Sequence, residues 1–107
     1  MITATMNATF PSSNSGFASM TLPIGVFIFS IIINYGGTGV TAYVTTNIIM
    51  NYATNFGSSV VNGGNNSING SFIYNNTSSQ TVYFFIVYTG SPTLTAANSS
   101  ITAVRIG

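Results

Sequence analysis

The chain has 107 residues, of which only Arg105 is charged, and it contains no Asp, Glu, Lys, His or Cys. General acid–base catalysis needs a side chain that titrates near neutrality, and metal sites need carboxylate, imidazole or thiolate ligands. We therefore expect no enzyme, no catalytic residue, no bound metal and no cofactor. A single arginine also neutralises almost no phosphate charge, so we expect no nucleic acid as a partner.

At this length we expect one domain, residues 1–107, which can bury a core and would gain stability from oligomerisation. Residues 1–13 have neither the positive segment nor the apolar segment of a secretory signal. The apolar stretch 22–33 includes Pro, Gly and Ser and is shorter than the roughly twenty residues of a membrane-spanning helix. We expect a buried strand there and no membrane span.

The composition is typical of an all-β protein, because Thr, Ile, Val, Tyr and Phe dominate and Gly, Asn, Ser and Pro interrupt them. Segments rich in turn residues separate eight predicted strands: 2–10, 17–21, 24–35, 40–52, 57–61, 67–75, 80–89 and 100–106. This number of short strands predicts a compact antiparallel jelly-roll sandwich. In one alternative, Asn69-Gly70 forms a tight hairpin turn that splits the sixth strand.

The first predicted strand, 2–10, alternates apolar residues with Thr and Asn, which indicates one buried and one wet face. The wet face carries hydroxyls and amides in place of the Lys and Glu that usually protect sheet edges from pairing with other chains. The net charge of +1 leaves little electrostatic repulsion between copies. Both features favour a protein that either associates readily with other chains or is permanently assembled.

Two predicted strands are apolar on both faces. In 25–35 one face holds Val26, Ile28, Ser30 and Ile32, and the other holds Phe27, Phe29, Ile31, Ile33 and Tyr35. In 81–88, Val82, Phe84, Ile86 and Tyr88 lie opposite Thr81, Tyr83, Phe85 and Val87. Only one face of each sheet meets the core of a sandwich, so the second face needs another partner. We expect that partner to be another subunit, contacted by Phe27, Phe29, Ile31, Tyr83 and Phe85. In the alternative, loops or terminal segments of the same chain cover the second face.

The sequence Asn-x-Ser/Thr occurs at Asn7, Asn65, Asn69, Asn75, Asn76 and Asn98. Such sites accept N-linked glycans where the protein meets a glycosylating compartment and the site lies in an exposed loop. Asn, Ser and Thr are abundant throughout this chain, so plain Asn-rich turns are the alternative interpretation.

Three segments follow one another along the chain: "LPIGVFIFSIII" (22–33), "GSFIYNNTSSQTVYFFIVYTG" (70–90) and "SSITAVRIG" (99–107). This order resembles the compact trimeric jelly rolls of the tumour-necrosis-factor and complement globular-head superfamily, in their virus, phage and spore-surface versions. The resemblance covers about residues 20–107. Two features depart from that pattern: Ser79-Gln80 replaces the usual Gly-Asp, and no collagen-like or coiled stalk precedes the motifs.

The resemblance implies a homotrimeric structural component of a virus particle, with other virion proteins as partners. It would be a fibre or spike head, or a small minor capsid or decoration protein. The last strand would end near the threefold axis, where Arg105 could meet backbone carbonyls, amide or phenol oxygens, aromatic faces or the Gly107 carboxylate of a neighbouring chain. Alternatively Arg105 reaches solvent. Two other functions stay open: a carbohydrate-binding adhesin, and a self-assembling extracellular fibre subunit.

Overall fold

The computed structural model describes residues 1–37, 41–47, 60–64 and 67–107. The strands are β1 (Ile2–Thr3), β2 (Thr5–Met6), β3 (Ser15–Leu22), β4 (Gly25–Gly36), β5 (Thr41–Asn47), β6 (Val60–Gly64), β7 (Ser67–Asn76), β8 (Gln80–Thr89), β9 (Thr93–Leu94) and β10 (Ser100–Arg105). One short 3-10 helix, Ala96–Asn98, precedes β10. In the described ranges, no helix is long and apolar enough to cross a membrane.

The strands form two antiparallel sheets packed face to face. Sheet A contains β1, β10, β4 and β7 in that order, and sheet B contains β2, β3, β8 and β5. Strand β6 pairs with β7 on one side and with β5 on the other, while β9 extends sheet A beside the end of β4. The chain changes sheet from β3 to β4, from β4 to β5, from β7 to β8 and between β8 and β10. This order is that of a jelly roll, and the predicted antiparallel sandwich is confirmed.

The core lies between the two sheets and is filled by alternate residues of the long strands. Strand β4 contributes Phe27, Phe29, Ile31, Ile33 and Tyr35, and β8 contributes Val82, Phe84 and Ile86. Phe29 of sheet A meets Phe84 of sheet B with ring centroids 5.9 Å apart in an edge-to-face arrangement. Because aromatic side chains bury large apolar areas, such pairs stabilise the contact between the sheets.

The predicted strand positions agree with the structure to within two residues for β3, β4, β7, β8 and β10. The Asn69-Gly70 turn was a wrong alternative, because both residues pair continuously with Ile32 and Ile31 of β4. In the predicted strands 40–52 and 57–61, residues 41–47 and 60–61 are strand, and the remaining positions lie outside the described residues. Strand β9 and the 3-10 helix occupy a segment that the sequence predicted as a loop.

The predicted strand 2–10 is shorter than expected and divides between the sheets. Ile2 and Thr3 pair with Ala103 and Thr102 of β10, and Ala4 N donates to Ile101 O. Thr5 and Met6 then pair with β3 on the other sheet. The segment 2–6 therefore covers the centre of both free sheet edges.

A buried amide joins two turns at one end of the sandwich. Asn76 is fully buried, and its Nδ2 donates to Leu22 O at 3.1 Å and to Pro23 O at 2.7 Å. Its Oδ1 accepts a hydrogen bond from Gln80 Nε2 at 2.5 Å. Since these bonds use both donor hydrogens and the acceptor of the amide, the side chain fixes the β3–β4 turn against the β7–β8 turn.

Candidate self-association surface

The structure places Phe27, Phe29 and Ile31 in the core, where each is at most 2% exposed. Their expected role as subunit contacts is corrected, because side chains enclosed between the two sheets of one chain cannot reach a second chain. The two faces of β4 were assigned in the wrong order: the aromatic face meets sheet B, and the opposite face is the outer one. The larger side chains fill the interior because they bury more apolar area there.

Tyr83 and Phe85 lie on the outer face of sheet B, away from the other three predicted contacts. Phe85 is only 3% exposed, so the chain covers this side chain by itself. Tyr83 is half-buried and lines a surface groove. The structure therefore does not bring the predicted interface residues together on one surface.

A different set of apolar residues lies on the outer face of sheet A. We call it the Ile28 face, and its members are Val26, Ile28, Ile32, Ile73, Val104 and Ile106. Ile28 lies at its centre, because strand register places it between Val104 on β10 and Ile73 on β7. Ile73 is 64% exposed and Ile106 is 52% exposed.

The strand register orders the rest of the Ile28 face. Ile106 N donates to Val26 O at 2.7 Å, which places Ile106 beside Val26. On the other side of the central row, Ser30 pairs with Thr102 and Ser71, so three hydroxyl residues interrupt the apolar surface before Ile32. No member of the face or of this hydroxyl row carries a charge. The face therefore combines an apolar centre with uncharged hydrogen-bonding groups, as the cores of protein interfaces do.

Arg105 lies at the end of β10, exposed, and its position depends on the chain that follows it. Its Nε donates to Gly107 O at 3.1 Å, and Val26 N donates to the same oxygen at 3.0 Å. Its register partner on β4 is Phe27, a core residue, and this is the last pair between β10 and β4. The Arg105 side chain therefore lies on the core-facing side of sheet A, at the end of the sandwich. The guanidinium group thus lies on the side of sheet A opposite the Ile28 face, and it has a backbone oxygen of its own chain as a partner.

The possible glycan acceptors fall in different environments. Asn76 is buried and fully bonded, so it cannot accept a glycan in the folded chain. Asn69 and Asn75 are exposed on β7, in register with Ile32 and Val26 of the Ile28 face. Asn7 and Asn98 are exposed elsewhere, and Asn65 lies outside the described residues.

Sequence reasoning missed Ile73, Val104 and Ile106 as surface residues. One signal was present: in β7, Ile73 is the only apolar side chain on a face otherwise made of Ser67, Asn69, Ser71 and Asn75. A single apolar residue on a wet face is common, so this signal indicates a contact surface only once strand register has placed Ile73 in one row with Ile28 and Val104.

No protein-family model matches the chain, and no curated protein or solved structure gives a significant match.

Proposed function

We propose that this chain is a non-enzymatic structural component of a virus particle that assembles as a homotrimer through the Ile28 face. The observation that carries the proposal is the apolar face itself, on a jelly roll that has almost no charge. Such a surface gains free energy when it is covered, and complete burial of an Ile side chain contributes about 1.5 to 3 kcal/mol.

A second copy of the same chain is the occupant that fits the chemistry of the Ile28 face. The face lacks charged side chains, and the whole chain has only one, so two copies bring no unpaired charges into the contact. The hydroxyls of Ser30, Ser71 and Thr102 can satisfy one another across the contact. The strand order, a jelly roll with β1, β10, β4 and β7 in one sheet, supports the resemblance to trimeric jelly-roll heads.

A closed assembly is favoured over the open fibre that composition also allowed. Edge-to-edge growth needs a long unpaired strand edge. Segment 2–6 pairs with the centres of β10 and β3, and β6 bridges the sheets on the other side. Association through a sheet face therefore has more surface to use than association through an edge.

The test is the oligomeric state of Ile73→Asp compared with wild type and with Thr21→Asp. Ile73 is exposed in the single chain, so a carboxylate there leaves the fold intact and places an unpaired charge in the contact. Thr21 is exposed on a strand of sheet B, outside the Ile28 face, and is the matched control. Native mass spectrometry and light scattering should give trimers for wild type and Thr21→Asp, and monomers for Ile73→Asp. A monomeric wild type, or a trimeric Ile73→Asp, contradicts the proposed face.

The particle assignment has a separate test. Mass spectrometry of purified virus particles from the source should find this chain at a fixed stoichiometry. Its presence only in the unassembled fraction would contradict a role in the virion, whatever the oligomeric state.

A further inference from the structure

The outer face of sheet B contains a groove that the proposed assembly does not use. It has a volume of about 190 Å³, and its lining includes Thr5, Asn7, Gly16, Ser19 and Tyr83. We propose that this groove binds a neutral saccharide. The groove lies on the sheet opposite the Ile28 face, so self-association through that face leaves it open.

The strand register explains why a groove forms here. Thr5, Ser19 and Tyr83 are in register across β2, β3 and β8, and they form one row on the outer face. Gly16 is paired with Phe85 in the neighbouring row and has no side chain to fill its place. A Cβ on Gly16 would touch the Phe85 ring, with Cε1 at 3.6 Å, which is an ordinary contact distance, so a side chain fits at this position without a clash. Glycine inside a strand often marks a close approach by a ligand.

A β-bulge shapes the same place. The register of β3 against β8 shifts between Gly16 and Ala18, which leaves Phe17 as the extra residue. Phe17 turns into the core, and Asn7 N donates to Phe17 O at 2.8 Å. The bulge therefore fixes the backbone of Asn7 against β3 at the groove. Bulges of this kind commonly reorient side chains beside binding sites.

The side chains of the groove match the chemistry of a sugar ring. Tyr83 offers an aromatic ring and a phenol group, Asn7 offers an amide, and Thr5 and Ser19 offer hydroxyls. None of these polar side-chain groups is used in a hydrogen bond to another described residue. A sugar presents apolar C–H faces and several hydroxyls, so it can stack on the ring and bond to these groups.

Charge and size narrow the ligand class. No lining residue is charged, so an anionic or cationic ligand would lose hydration without gaining an opposite charge. The groove is smaller than the roughly 300 to 1,000 Å³ of pockets for drug-sized ligands, which suits a single terminal sugar unit.

The test is a titration of the 15N-labelled chain with the methyl glycosides of glucose, galactose, mannose and N-acetylglucosamine. At least one should give saturable chemical-shift changes at the amides of Asn7, Gly16, Ser19 and Tyr83, with a Kd on the order of 1 to 10 mM. Sialyllactose and a neutral Asn/Ser/Thr peptide are the comparison ligands. No saturable change with any neutral glycoside up to about 100 mM, roughly ten times the weakest expected Kd, or binding of a comparison ligand alone, overturns the proposal.

Gly16→Val fills the groove and should weaken binding at least tenfold. The matched control is Gly36→Val, because Gly36 is also a strand glycine and has no atom within 4 Å of a built Cβ. Tyr83→Thr removes the aromatic ring but keeps a strand-forming residue, and it should also abolish binding. This variant tests the site even where Gly16→Val does not fold. Unchanged affinity in a folded Gly16→Val or Tyr83→Thr variant contradicts the site.

Discussion

Arg105 lies directly against Gly25: a Cβ built on Gly25 would be 2.9 Å from Arg105 Nε and 3.1 Å from Gly107 O. Gly25 has a φ of 153°, which also favours glycine. Arg105, the only charged side chain, thus packs on Gly25 at the start of β4. This packing is possible because Gly25 has no side chain. The arginine therefore has a structural role within its own chain.

Gly25→Ala should therefore displace Arg105 and destabilise the fold by about 1 to 3 kcal/mol. The added methyl group meets the guanidinium and a backbone oxygen, and the backbone is strained. Gly36→Ala is the control, because open space surrounds its Cβ position. Thermal unfolding of both variants decides the question. Equal melting temperatures for the two variants would show that the contact with Arg105 has no energetic weight.

Asn76→Ala should destabilise the fold by about 2 to 3 kcal/mol, because it removes the amide that donates to Leu22 O and Pro23 O. Its neighbour Asn75 is exposed and provides the matched control, Asn75→Ala, which should change stability little. Urea unfolding of the two variants measures the difference. A loss of similar size in both would mean that burial of the amide does not matter.

The strands were largely predictable from the sequence, but the candidate surface was not. Turn residues and alternation locate β4 and β8 because these signals are local. Which face of β4 meets the core is decided by packing against the other sheet, and both faces of β4 are apolar. Phe29 fits the interior against Phe84, and this leaves Ile28 outside. The groove at Gly16 depends on register across three strands, which the sequence alone does not specify.

Thr46→Val should raise stability by about 1 kcal/mol, equivalent to about 4 to 8 °C in melting temperature. Thr46 is fully buried, and among the described residues its hydroxyl has no hydrogen-bond partner. Valine has nearly the same shape and no polar group to desolvate. Thr21→Val, at an exposed position, is the control and should show no such gain. A destabilised Thr46→Val would indicate that the hydroxyl is bonded after all.

The pH dependence of stability should be flat from about pH 4.5 to 7, because no side chain of the chain titrates there. At alkaline pH the free energy of unfolding should decrease. Burial raises the pKa of Tyr35 above its ordinary value of 10.0, so the folded chain holds this proton where the unfolded chain loses it. The unfolded state then binds fewer protons, and the free energy of unfolding decreases as pH rises above about 10.

Tyr35→Phe isolates this contribution. The variant should lose less stability than wild type between pH 9 and pH 11, when unfolding by urea is followed at each pH. Tyr88→Phe is the comparison at a half-buried tyrosine whose hydroxyl donates to Pro11 O. Parallel stability curves for wild type and Tyr35→Phe would contradict the assignment to Tyr35.

The five residues 2–6 pair first with β10 and then with β3, so one short stretch shields two sheets at once. In most proteins an exposed sheet edge is kept apart from other copies by charge, and this chain has no acidic side chain and a single basic one. In this chain, residues 2–6 protect the two sheet edges by pairing with them. Loss of residues 2–6, for example after proteolysis near residue 7, would leave the edges of β10 and β3 unpaired. The pairing of residues 2–6 thus limits edge-to-edge association of this protein, separately from association through the Ile28 face.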